Sequence, residues 1–158
     1  MKYLNKFLDK TKEFLQTRNI GFYLILASIV LSIIQIIIYE VGFSATDFIK
    51  YKHFSVTLLA VFAIFVTLGL SATKWTERLA PFAMFFMELF SFLMLIKYGY
   101  MYFTELFFAG VTWTRITQMY YGYMGSIILY VLIFVISITS FFMKQSKNIE
   151  RKELANEN

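Results

Sequence analysis

Two side chains able to do chemistry stand where the rest of the sequence is apolar. Glu88 lies near the middle, and Lys97 toward the far end, of Leu79 to Phe103, a run dominated by Phe, Met and Leu. A charge deep in hydrocarbon costs about 2.5–3.5 kcal/mol on insertion scales, so such groups turn toward a bundle interior, a wet cavity or a partner. A carboxyl group in that position can hold a proton or a substrate. It can equally be a structural acid that locks helices together through interhelical hydrogen bonds, each worth about 0.6 kcal/mol. Glu88 and Lys97 cannot pair with each other within one helix. The step of nine residues from one to the other, at ~100° each, turns a helix through about two and a half revolutions, which points them to opposite faces. Met84, Ser91, Leu95 and Tyr98 share the Glu88 face. The spacing therefore predicts that Glu88 looks into a bundle while Lys97 looks away, toward headgroups, Glu105 or another subunit.

Few other chemistries are open. There is no Cys, which excludes disulfides, thiolate metal sites and Cys nucleophiles, and the single His, His53, leaves no His-based metal site or triad. The sequence contains no phosphate-binding loop, dinucleotide fingerprint, HExxH or GxSxG motif. A lone Glu88, even beside a tyrosine, falls short of the nucleophile or metal plus base that an intramembrane enzyme needs. The expectation is a non-enzyme without cofactor or metal.

The elements that must carry these residues are membrane spans. The chain has 158 residues, enough for one domain, and is 59% hydrophobic and 20% aromatic. Soluble domains are about 45–50% apolar, so the excess calls for lipid. About 20 apolar residues at ~1.5 Å each cross a ~30 Å hydrocarbon core. Four runs meet that length, at about 20–40, 54–72, 79–103 and 121–143. The first carries Ser28, Ser32, Gln35 and Tyr39 on one face. The second carries a stripe of Thr57, Ala60, Ile64, Thr67 and Ser71, and the fourth one of Ser126, Tyr130, Ile133, Ser137 and Ser140. Small and hydroxyl residues on one face are the usual helix–helix contact in lipid. Pro81 falls in the first turn of the third span, where its missing N–H costs little.

Residues 1–19 place Tyr3, Leu4, Phe7, Leu8, Phe14 and Leu15 among Lys2, Lys6, Lys10, Lys12 and Arg18. This suits a basic amphipathic segment on the membrane surface or a solvated tail that sets topology. The following apolar run is too long for a signal-peptide core and no small-residue cleavage site follows it. Residues 144–158 form a charged tail. Between the third and fourth spans, Trp113, Arg115, Tyr120 and Tyr121 mark an aromatic connector, as expected of residues at headgroup level; it is an interfacial anchor or a binding lip for an apolar ligand.

Charge fixes the expected orientation. Of the 15 Lys and Arg residues, eleven lie in the two tails and the Thr73 to Arg78 loop, against Lys50, Lys52 and Arg115 in the opposite connectors. By the positive-inside rule both termini are cytoplasmic. The net charge of +5 is gathered in the tails and one loop, which suits anionic inner-leaflet lipids rather than nucleic acid. Counting depth from each helix centre sets two polar layers. Glu88 shares one with Ser28, Thr67 and Ser137, and Lys97 shares another with Gln35, Thr57 and Ser126. A carboxyl among three hydroxyls is satisfied most cheaply when protonated, since a buried charge would need a partner.

The sequence thus predicts an all-α integral membrane protein, a four-transmembrane-helix up-and-down bundle. Abundant Phe, Ile, Tyr, Lys and Asn suit an AT-rich bacterial genome, hence a bacterial plasma membrane. The expected function is a non-catalytic subunit, scaffold or regulator of a larger membrane assembly, working with a membrane-protein partner or as a homo-oligomer. The alternative is a small oligomeric transporter or channel that uses Glu88.

Overall fold

The computed structural model describes residues 18–44, 52–73, 75–110, 112–113 and 120–145. Among these the chain is all helical, with no strand. The helices are α1 (Ile20–Ser44), α2 (Phe54–Ser71), α3 (Ala80–Ala109) and α4 (Gly125–Phe142). A 3-10 turn, Glu77–Leu79, leads into α3, and a wider π turn, Tyr120–Met124, leads into α4. Four helices are long and apolar enough to cross a membrane, over Ile20–Ser44, Phe54–Ser71, Glu77–Met101 and Gly122–Phe142. Lipid offers the backbone no hydrogen-bond partner, so a spanning segment must satisfy every N–H and C=O internally, which a helix does.

The helix ends differ from the apolar-run estimates. α1 runs through Glu40 to Ser44, and α3 continues past Phe103 to Ala109, so the first part of the aromatic connector is helix. Apolar residues carry both helices on, and a single polar residue such as Glu40 does not break hydrogen bonding along the axis. α3 stops at Gly110, whose φ of 86° lies in the region that glycine reaches without a Cβ clash. α2 starts after His53, which is extended and whose Nδ1 accepts from the Ser55 N–H at 3.3 Å. Most of the amphipathic segment, Arg115 and the charged tail beyond Gln145 lie outside the described residues. Tyr120 and Tyr121 enter through their backbone only.

α1 packs chiefly on α4, α2 on α3, and α3 also on α4. Two apolar clusters fill the interior. One joins Ile25 and Ile29 of α1 to Ala63, Ala80, Met84 and Ile133. The other joins Tyr39 and Phe43 to Val56, Leu95, Tyr123 and Tyr130. Between the clusters, along both α1 and α3, lie polar residues: Ser32 and Gln35 on the first helix, Glu88 and Ser91 on the third, all fully buried. The outer surface is the reverse. Ile33, Ile37, Phe62, Phe65, Phe90, Leu93, Val131 and Val135 are exposed on it, a greasy coat of the kind that marks a lipid-facing wall.

Candidate functional site

Buried polar groups in lipid must find partners, and the middle of this bundle can be followed group by group. α3 presents Glu88 and, one turn on, Ser91 to the interior, each with no exposed surface. Ser32 of α1 donates its hydroxyl hydrogen to Glu88 Oε1. Ser91 Oγ donates to the Val56 carbonyl of α2 at 2.8 Å and lies 2.6 Å from the Tyr130 hydroxyl of α4. Because the single Ser91 proton goes to Val56, Tyr130 is the donor in the second contact. One polar layer therefore draws on all four helices.

The layer is not fully paired. Glu88 Oε2 and both amide atoms of Gln35 are buried without a hydrogen-bond partner among the described residues. Gln35 lies one turn beyond Ser32 on the same face of α1. A buried group left unpaired costs about 1–3 kcal/mol, and more when charged. A protonated Glu88 can donate a hydrogen bond, whereas an ionised one only accepts.

The residues expected beside Glu88 are placed otherwise. Ser28 donates back to Leu24 O at 2.9 Å and receives Ser137 Oγ at 3.5 Å, so these two meet each other rather than the acid. Thr67 Oγ1 approaches Met84 Sδ at 3.4 Å. Ser32, one turn beyond Ser28 on the same face of α1, is the hydroxyl that meets the carboxyl. The second expected layer is not assembled either. Lys97 is exposed, its Nζ 5.6 Å from the Tyr98 ring centre, and Ser126 Oγ donates back along its own chain to Gly122 O at 2.6 Å. Thr57 donates to Glu40. Trp113 is exposed on the connector.

Two polar assemblies at the ends of the bundle lay outside the expectations. At one end Arg18 forms a buried ion pair with Glu77, also donates to Ser71 O at 3.3 Å, and stacks its guanidinium 4.9 Å from the Phe22 ring centre. Beside it Asn19 N donates to Gln145 O at 3.0 Å, and Ser140 Oγ to Gly21 O at 2.8 Å. At the other end Lys52 pairs with Glu40 and reaches Ser44 Oγ at 2.8 Å. There the Tyr39 hydroxyl accepts from His53 N at 2.9 Å, and the His53 ring stacks on Tyr98 with centres 3.8 Å apart. In the sequence Arg18 reads as one more tail charge and Glu40 as an ordinary interfacial acid. The available signal was proximity to helix ends, where charges either meet water or meet each other.

Among the described residues no group of three or more His, Cys, Asp or Glu side chains could hold a metal ion. No protein-family model matches the chain, and no curated protein or solved structure shows significant similarity to it.

Proposed function

We propose that this chain is a non-catalytic four-span membrane protein, a subunit, scaffold or regulator of a larger assembly. In this reading it is an up-and-down bundle in a bacterial plasma membrane with both termini cytoplasmic. The observation that carries the reading is Lys97. It sits inside the apolar stretch Glu77–Met101, yet faces off the bundle, while Ser32, Ser91 and Tyr130 turn inward and bond between helices. A cation on an otherwise lipid-facing wall is costly unless it reaches headgroups or an acidic or carbonyl partner. Extraction in mild detergent should then recover the chain with a second membrane protein, and Lys97→Leu should reduce that recovery. Isolation as a lone monomer, or recovery unaffected by Lys97→Leu, would refute the reading.

A second reading is favoured by the three unpaired buried atoms of Glu88 and Gln35. They give a small oligomeric transporter or channel a place for a proton or a substrate hydrogen bond. In reconstituted vesicles such a protein would show pH-dependent flux that Glu88→Gln abolishes. Flux surviving that substitution would leave Glu88 as a structural acid.

A further inference from the structure

At the end of the bundle closed by Arg18, the start of α3 and the end of α4 leave a groove of about 450 Å³. Glu77, Arg78, Phe141, Phe142, Met143 and Lys144 line it. That volume falls within the ~300–1,000 Å³ of small-molecule sites. The charges in it do not cancel. The Glu77 carboxylate is taken by Arg18, with both side chains buried. Arg78 and Lys144 are exposed, and among the described residues neither is in an ion pair. The groove therefore presents two cations to whatever enters it.

Its other wall is apolar and continuous with the membrane-facing surface. Phe141 and Phe142 are 51% and 80% exposed. Phe82, 50% exposed, sets its ring 6.4 Å from that of Phe141 and 4.4 Å from that of Phe86 one turn deeper. The cations stand where the spans Glu77–Met101 and Gly122–Phe142 begin and end, which is headgroup level. A free anion would use the cations and ignore the aromatic wall; an apolar ligand would do the opposite. A molecule with an anionic head and hydrocarbon tails uses both. We propose that the groove binds an anionic phospholipid, with Arg78 and Lys144 on the phosphate and the acyl chains along Phe82 and Phe141. Basic pockets between spans are a recurrent way of holding such headgroups.

The test is native mass spectrometry of the full chain in detergent, titrated with palmitoyl-oleoyl phosphatidylglycerol or phosphatidylcholine. Phosphatidylglycerol should be retained on the order of tenfold better. Arg78→Gln with Lys144→Gln should remove that preference, and Arg78→Lys with Lys144→Arg, which keeps both charges, should retain it. The triple change Lys147→Gln, Arg151→Gln and Lys152→Gln in the tail should leave it in place. Equal retention of the two lipids would overturn the proposal, as would a preference surviving in the Gln pair. Displacement of the lipid by glycerol 3-phosphate at a matching concentration would also overturn it, since the site would then be one for a soluble phosphate.

Discussion

Each end of the bundle carries an ion pair, and the two pairs are built in opposite ways. Arg18 and Glu77 have side chains only 3% and 7% exposed, and Arg18 reaches the last residue of α2 as well, so three segments meet on one guanidinium. Lys52 and Glu40 are 23% and 36% exposed and join only the end of α1 to the start of α2. Removing one member of a buried pair strands a charge without solvent and costs about 3–5 kcal/mol. An exposed pair is screened and contributes about 0–1 kcal/mol. One end is therefore clasped electrostatically. The other has to be held by packing, through the Tyr39, His53 and Tyr98 contacts and the cluster around Tyr123.

The largest effect should come from breaking the clasp. Glu77→Ala is expected to lower stability by about 3–5 kcal/mol in SDS-induced unfolding. The double change Arg18→Met with Glu77→Leu should recover most of the loss, because no charge is then stranded. If Glu77→Ala costs no more than Lys52→Gln does, the two ends are alike and the comparison fails.

At the other end the corresponding damage should be steric. A Cβ on Gly99 would run into the ring of Tyr123, which is buried. Gly99→Ala should therefore cost about 1–3 kcal/mol by overpacking, and adding Tyr123→Leu should return part of it by vacating that space. Thermal unfolding in detergent would resolve the difference. A neutral Gly99→Ala would mean that this end is loose enough to absorb a methyl group.

The four apolar helices were legible because length and hydropathy alone decide them. Lipid leaves no choice of secondary structure, so even Pro81 and Glu88 do not obscure the pattern. The site was legible in kind but not in membership. Counting residues gives depth along a helix to within a turn, whereas hydrogen bonding depends on azimuth and on where each helix ends. Ser32 lies on the same stripe as Ser28, one turn away, and it is Ser32 that meets Glu88 while Ser28 bonds back to Leu24. Thr67 stood at the right level and turned to a sulfur. Arg18 and Glu77, 59 residues apart, carry no periodic signature at all. Their meeting depends on how the end of α4, through Ser140 and Gln145, holds the start of α1.

The smallest effect sharpens the contrast most, because it separates screening from burial. Lys52→Gln removes the cation beside Glu40 but leaves that carboxylate a hydrogen bond from Thr57 and partial access to water. The loss should stay below about 1 kcal/mol. It should also shrink as salt rises from 0.15 M to 1 M, where the Debye length falls from about 8 Å to about 3 Å. Glu77→Ala has no such dependence, since ions cannot reach between buried partners. Measuring both variants at both salt concentrations gives four unfolding free energies. A salt-insensitive loss above 2 kcal/mol for Lys52→Gln would show that this end is closed to water when the protein sits in its membrane, by lipid or by a partner. A loss that vanishes in high salt would place Glu40 and Lys52 in the aqueous boundary, with α1 and α2 joined there by packing alone.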